Sequence, residues 1–453
     1  MRWNLSRRVT QATRQMPLRS GSLKMNKLSA TSQSFVDACS ISEMELPWLF
    51  SLKKCGIEDF SKVGLPTLRN EAWRYTSLKQ LERLDWQKVA EDYEVGELSW
   101  LTSGDSYKLV IVNGKFNYSL SEISGFPEGA FIGSLSEALG SHSELLETHL
   151  GRIATSKDSP LLALNASHMA DGYVILLSKV QLNKPIEILN VGRTDGQAIA
   201  YHPRNLILLD QLSRATIFEH CTGQNAGSYF VNSGTEIFVN QGSHLQHHRI
   251  FADGPEAIGV ASTGVRVGSD ANYTSLVLSD GGKLLRNDVR IHLSASGAET
   301  KLGGIYMADD GQHVDHTVVI EHEMPHTKSE QMFKGVLGGK AHGVFQGNIN
   351  VQEGADGSDG QLTNKTLLLS PGTEVNSKPQ LEIYADDVKC AHGSAVGELD
   401  EEELFYLRSR GIPYAQAKSI LVESFLSEVI DKFDLGELTD TFRRRITDWI
   451  QAD

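Results

Sequence analysis

The sequence predicts a mainly β protein, a β-helix or solenoid carrying α-helical regions at both ends. Three observations lead there. From Tyr173 to about His392 the chain is a succession of short, β-branched runs separated by glycine-punctuated turns. That stretch exceeds two hundred residues, long for one sandwich, and no helices alternate with its strands, which excludes a doubly wound α/β fold. Before and after it the hydrophobic period becomes helical. A solenoid reconciles the three, because each rung buries its inward side chains against the next and length grows without a larger core. No strict sequence repeat marks the rungs.

The elements follow in order. Residues 1–31 read as a disordered basic N-terminus: Arg2, Arg7, Arg8, Arg14, Arg19, Lys24 and Lys27 stand there with no acidic residue before Lys27. The alternative for residues 1–24 is an organellar transit peptide, since such peptides are Arg-rich and acid-poor. Residues 32–107 form an N-terminal helical region in which Pro47 suits a first helical turn, Trp48, Leu49 and Leu52 repeat at helical spacing, and Gly56 is the expected stop. Strands begin at Lys108-Leu-Val-Ile-Val112, followed by the hairpin dipeptide Asn113-Gly114. The β-helix core extends over 108–397, with strands at Tyr173–Leu177, Ile186–Leu189, Asn205–Leu209, Glu236–Val239, Ser275–Leu278 and Asp288–Leu293. Residues 398–453 form a C-terminal helical docking region. Asp400 is placed as an N-cap, Glu401, Glu402 and Glu403 suit the positive end of the helix dipole, and Gly411 closes the first helix. A second helix starts near Tyr414, and a third sets Phe442, Ile446, Trp449 and Ile450 opposite Arg443, Arg444 and Arg445.

Composition narrows the function classes. Of 453 residues, 40% are apolar and 22% charged, and no apolar run approaches the length of a membrane span. A formal net charge of -14 opposes a polyanion, so neither nucleic acid nor membrane is an expected partner. Cys39, Cys55, Cys221 and Cys390 give neither a disulfide framework nor a Cys-x-x-Cys ribbon, which points to a reducing compartment, the cytoplasm. Gly335-Val-Leu-Gly-Gly-Lys-Ala341 lacks the spacing and hydroxyl of a phosphate-binding loop, so the chain is not expected to hydrolyse ATP. No dinucleotide fingerprint or esterase elbow is present.

Two groups of residues suggest metal chemistry. His313, His316, His322 and His326 crowd one stretch, as do His247 and His248, but alternation across a strand would point His313 and His316 to opposite faces. Structural histidines are the reading favoured there. In Leu381-Glu-Ile-Tyr-Ala-Asp-Asp-Val-Lys-Cys-Ala-His-Gly393, Leu381, Ile383 and Ala385 share one parity and Val388, Cys390 and His392 the other, which predicts a turn at Asp386-Asp387. Cys390 and His392 then project to one side, with Cα atoms about 6.5 to 7 Å apart, within reach of one metal or cluster. Two ligands leave a site half built, so an interface completed by another chain follows. On spacing alone the favoured reading is a small buried apolar cysteine and a hydrogen-bonded strand-end histidine. Asp386 and Asp387 also fit a β-helical carbohydrate-active enzyme working with clustered carboxylates, although Asp supports tight turns and the turn is preferred.

Longer motifs carry a resemblance. Gly64-Leu-Pro-Thr-Leu-Arg-Asn-Glu-Ala-Trp-Arg-Tyr-Thr-Ser-Leu78, Lys334-Gly-Val-Leu-Gly-Gly-Lys-Ala-His-Gly-Val-Phe-Gln-Gly347, the Leu381–Gly393 stretch and Leu404-Phe-Tyr-Leu-Arg-Ser-Arg-Gly-Ile412 together resemble the SufB/SufD family of iron-sulfur cluster assembly scaffolds. The Asp-Asp-Val-Lys-Cys-x-His-Gly form is similar to its SufD branch, whereas Glu353–Gly360 departs from the family's usual Gln-rich segment. The resemblance implies a right-handed parallel β-helix, a non-catalytic scaffold role, and pairing with a SufB-like subunit. It also implies a SufC-like ATPase docked on the C-terminal helices, where Leu404, Phe405, Leu407, Arg408, Arg410 and Tyr414 are the candidate contacts. By the same resemblance His392, with Cys390 beside it, would ligate a transient iron-sulfur cluster shared with SufB. Reduced flavin is associated with such complexes, but nothing in the sequence marks a site for it. A structural homodimer without a cluster role is the remaining alternative, because β-helix edges can self-pair.

Overall fold

The computed structural model describes residues 28–89, 95–102, 104–224 and 227–452. The basic run from Arg2 to Lys27, including the stretch assigned to a transit peptide, lies outside the described residues. Near the N-terminus are helices α1 (Ala30–Ala38) and α2 (Pro47–Val63) and two 3-10 turns, Glu71–Trp73 and Lys79–Arg83. The hairpin β1 (Tyr107–Val112) and β2 (Lys115–Phe116) follows, then β3 (Ala130–Ser134), α3 (Leu135–Ser141), α4 (Ser143–His149) and α5 (Pro160–His168). The winding begins with β4 (Tyr173–Leu177), β5 (Ile186–Arg193), β6 (Ile199–Tyr201), β7 (Arg204–Leu209) and β8 (Arg214–Gln224). It continues through β9 (Tyr229–Val239), β10 (His244–Ala252), β11 (Ile258–Val267), β12 (Asn272–Ser279), β13 (Leu284–Leu293) and β14 (Glu299–Ala308). Its last strands are β15 (His313–His322), β16 (Lys328–Leu337), β17 (His342–Val351), β18 (Asp359–Leu368), β19 (Glu374–Ile383) and β20 (Lys389–Gly397). Three helices end the chain, α6 (Glu401–Ser409), α7 (Tyr414–Ile430) and α8 (Leu438–Ala452).

From β8 onward, even-numbered strands form one parallel sheet and odd-numbered strands the other, giving a parallel β-solenoid of about seven turns. Stacked side chains are 28 to 30 residues apart in sequence, as in Glu219–His247, Asn190–Glu219 and Thr216–Gln246. Between the sheets runs a continuous apolar core that includes Ile188, Ile217, Leu245, Tyr273, Leu302, Phe333, Phe345 and Leu362. The outer face of the even sheet is covered by α7 and α8, through Val422, Leu426, Phe433 and Phe442 against Phe218, Ile250, Leu276 and Ile305. On the odd sheet, Phe35, Phe60 and Trp73 pack with Leu164 against Phe230, Ile258 and Leu284.

Several local expectations change. Helix α1 begins at Ala30, capped by Ser29, whose side chain accepts the Ser32 N–H, so order starts before residue 32. Gly56 does not stop α2: the helix continues to Val63 and ends at Gly64, where φ is 67°. Gly56 instead lets α2 approach α5, since a Cβ there would stand 2.8 Å from the Ala163 carbonyl oxygen. Where the sequence reading continues strands from Lys108, the structure inserts α3, α4 and α5. In α5 every residue from Leu161 to Ser167 is buried, so it carries no polar face and no amphipathic period that a pattern could show.

One buried ion pair joins these helices to the solenoid. The Glu236 carboxylate accepts the backbone N–H groups of Gly151, Arg152, Ile153 and Ala154 at 2.6 to 3.2 Å and pairs with Arg204 at 2.6 Å. Both side chains of that pair are fully buried. Removing one partner from a buried pair usually costs about 3 to 5 kcal/mol, because the other charge stays desolvated. Glu236→Ala is therefore expected to lower stability by about that amount, read as a reduced denaturant midpoint. A midpoint equal to wild type would contradict the assigned role.

Candidate metal centre

The two poles of the solenoid differ. At the N-terminal pole each sheet ends in a short antiparallel strand, β2 with 2 residues and β3 with 5. At the C-terminal pole the sheets end in β19 with 10 residues and β20 with 9, whose outer edges carry no further strand among the described residues. Long unpaired edges of this kind present a row of free N–H and C=O groups.

Cys390 and His392 lie on β20 at that open pole. β19 and β20 are joined by the segment 384–388, with Asp386 and Asp387 exposed in it, as the parity change requires. Cys390 pairs in register with Gly360 and His392 with Leu362. Leu362 belongs to the interior core, so both side chains are aimed along the inside of the solenoid rather than at its flank. The next pair in that column, Asn364 and Ser394, is bridged by Ser377, which accepts from Asn364 at 3.0 Å and meets Ser394 at 2.8 Å. No rung covers β20, so Cys390 is half-buried and His392 exposed, although their positions in the rung below are buried.

The environment of the two ligands differs as well. Cys390 packs against the edge of the core beside Val388 and Leu381. Burial pushes its thiol above the ordinary value, Asp359 adds to the rise, and the Gly360 backbone N–H opposes both. Gly360 lies directly beneath the sulfur, and a Cβ there would meet Sγ at an ordinary 3.4 Å but crowd Ile349 at 3.1 Å. Among the described residues no three His, Cys, Asp or Glu side chains converge on a metal, so these two would form an incomplete set.

The other histidines separate by face, as alternation requires. His316 is buried inside against Tyr306 and Phe333, and burial pushes it down to about 4. His322 is held by Thr327 and Ser329 at 2.8 Å each. His247 contacts Glu219 at 3.1 Å within the interior, whereas the His248 Nδ1 accepts the Leu276 N–H on the outer side. His326 occupies a turn with φ 59°. His313 meets none of these: its Nδ1 lies 3.2 Å from that of His342, one rung away. Sequence adjacency hid that pair, because only the rung period brings the two residues together.

The predicted docking residues also divide. Asp400 caps α6 by accepting the Glu402 and Glu403 N–H groups, and Gly411 has φ 87°. Phe405, Arg408, Arg410 and Tyr414 are exposed, but Leu404 is only 4% exposed and Leu407 is half-buried. The apolar side of α6 needs those two to hold the helix down, which takes Leu404 out of any partner surface. Tyr406 and Ile420, which the sequence reading passed over, are exposed beside Phe405 and Tyr414.

Two family profiles and several known proteins match this chain. The family profile described as the SUF system FeS cluster assembly SufBD core domain matches residues 192–425, and that of the SufBD protein N-terminal region matches residues 36–188. The iron-sulfur cluster assembly protein SufD of Escherichia coli is 29% identical over 83% of this chain and 87% of its own length. A SufBD family iron-sulfur cluster assembly protein of Synechocystis is 27% identical over 92% of this chain and 94% of its own. A protein of Arabidopsis thaliana named as chloroplastic is 27% identical, with 91% and 89% covered.

The thiol environment gives a measurable expectation. A raised value leaves Cys390 protonated near neutral pH, so metal capture must release its proton. In the isolated protein, alkylation of Cys390 followed by mass spectrometry is expected to have its midpoint at higher pH than a free peptide thiol, near ~8.5. A midpoint at or below that of the free peptide would contradict the burial described.

Proposed function

The chain belongs to the SufBD family of SUF-system iron-sulfur cluster assembly proteins, and on that premise we propose that it is a scaffold subunit that holds half of a nascent cluster at a subunit interface. The observation that carries this reading is the open C-terminal pole, where Cys390 and His392 end an interior column with nothing stacked above them. A SufB-like subunit seated on the edges of β19 and β20 would cover that column and bring the remaining ligands. The cluster is cargo in this scheme, bound transiently and passed on.

The chemistry asked of this chain is modest. Cys390 supplies a thiolate once iron displaces its proton, and His392, already exposed, supplies a neutral imidazole. Excluding water by docking strengthens both bonds and protects the cluster. Hydrolysis of ATP belongs to a SufC-like partner, docked on the exposed face of α6 and the start of α7 through Phe405, Arg408, Arg410 and Tyr414. Exposed aromatic side chains interleaved with arginines suit a protein partner, since both types are enriched where interfaces concentrate their affinity. Movement of those helices would reach the solenoid through Lys334, which donates to the Phe425 carbonyl at 2.8 Å and pairs with Glu428. Arg445 forms a second link, forked onto Asp280 at 2.8 and 2.9 Å. ATP-driven displacement of α7 and α8 would then open and close the pole.

Reduced flavin is assigned no residues in this chain. The carbohydrate-active alternative loses its support, since Asp386 and Asp387 occupy an exposed turn and the family is an assembly family. The structural homodimer keeps a specific support in the long free edges of β19 and β20. For compartment, the cytoplasm fits the cysteine usage, while the chloroplastic name of the Arabidopsis relative favours the transit-peptide alternative for residues 1–24.

Three measurements test these statements. His392→Ala in the complex reconstituted with SufB-like and SufC-like partners is expected to lower anaerobic cluster yield severalfold at unchanged complex mass; full yield would end the ligand role. The double variant Phe405→Asp and Tyr414→Asp is expected to weaken SufC-like binding at least about tenfold, consistent with loss of two interface anchors, and undiminished binding would move the docking surface elsewhere. Mixing the chain with a SufB-like subunit should replace any homodimer by a heterodimer in native mass measurements; persistence of the homodimer would favour the structural alternative.

A further inference from the structure

We propose that His313 and His342 form a two-imidazole site for a divalent first-row transition metal on the outer face of the odd-numbered sheet. The site is separate from Cys390 and His392, which belong to the even-numbered sheet and face the interior.

The argument rests on where each ring nitrogen is committed. His313 on β15 and His342 on β17 are direct register partners, and their Nδ1 atoms stand 3.2 Å apart with the rings at 80°. The His313 Nε2 lies 2.9 Å from the Thr76 hydroxyl. That hydroxyl is committed as a donor to the Asp315 carboxylate, which can only accept, so Thr76 must accept the proton of the His313 Nε2. Asp315 is fixed in turn by Arg286 at 2.5 Å, and Arg286 stacks on Trp73 with 4.2 Å to the ring centre. On the other side, the His342 Nε2 lies 2.7 Å from the Asn376 amide oxygen, an acceptor, so that nitrogen also carries its proton.

With both rings neutral and these Nε2 protons in place, each imidazole turns a Nδ1 lone pair toward the same point. Two lone pairs facing each other at hydrogen-bond distance repel unless something positive, a proton or a metal ion, sits between them, and the proposal is that the ion can take the proton's place. A tetrahedral ion with metal–nitrogen bonds of about 2.0 to 2.1 Å holds its nitrogens about 3.3 Å apart, close to the spacing present. A hydrogen-bond acceptor behind each remaining N–H is also the usual arrangement that orients a ligating histidine and raises its basicity. Imidazole nitrogen suits zinc, copper, nickel and ferrous iron, not magnesium or calcium.

The site supplies two ligands, since no third His, Cys, Asp or Glu joins it among the described residues. Water fills the other positions, or Glu374 does after a change of rotamer, because it is the register partner of His342 on the last rung. Thr76 and Asn376 act as positioning residues. An ion held there would tie the segment around Trp73 and Thr76 to β15, β17 and β19.

The test uses the full chain carrying Cys390→Ser and His392→Ala, so that the interior site contributes nothing and its failure is read separately. Titration with Co2+ is expected to give one bound equivalent, with visible d–d bands and no thiolate charge-transfer band. His342→Ala should remove that equivalent, Asn376→Leu should weaken it about 10-fold to 100-fold, and Asn376→Asp, which keeps an acceptor, should retain it. Circular dichroism melting of each variant identifies any that have lost the fold, and His342→Gln replaces one that has. Absence of a bound equivalent, a thiolate band, or full binding by the folded His342 variant would each overturn the proposal.

Discussion

Everything in this molecule depends on the stacking of parallel rungs in constant register. Once β8 lies on β5 and β10 on β8, a residue's neighbours are set by the rung period and not by the adjacent sequence. Glu219 meets His247, Tyr306 meets Asn364 and Thr366 two rungs on, and Cys390 is seated over Gly360. Each rung is satisfied by the next, both in its ladder of backbone hydrogen bonds and in its inward side chains. The last rung has no such neighbour. The functional proposal is a consequence of that vacancy in the stacking rule, since the same two positions one rung lower are buried.

The helical additions fit the same frame. They cover the outer faces of both sheets, where a bare solenoid would expose apolar columns to water, and a few charged contacts supplement that apolar packing. Glu236 gathers four backbone N–H groups at the N-terminal side, and Lys334 and Arg445 fasten the C-terminal helices. These polar links add to the broad apolar contacts by which the helices lie on the sheets.

Much of this was legible in the sequence. Alternating β-branched runs gave the strands, Asp400 and Gly411 marked the ends of α6, and the parity change around Asp386-Asp387 placed Cys390 and His392 on one side of one strand. What stayed hidden has physical causes. Helix α5 is buried all round, so its Leu-Leu-Ala-Leu run shows no amphipathic period. Gly56 looked like a terminator because a glycine's need for close approach to Ala163 leaves no local signature. The His313–His342 pair was invisible because a 29-residue separation means nothing until the rung length is known. Leu404 could not be told from Phe405 by type, since only the packing of α6 decides which of the two faces water.

The unlike poles limit how copies can add. With β2 and β3 blunting one end, the long free edges lie at the other, and among the described residues a copy stacked there leaves no second long edge for a further rung. Growth by end-to-end addition, the route by which solenoids become fibres, is thereby closed after a single step.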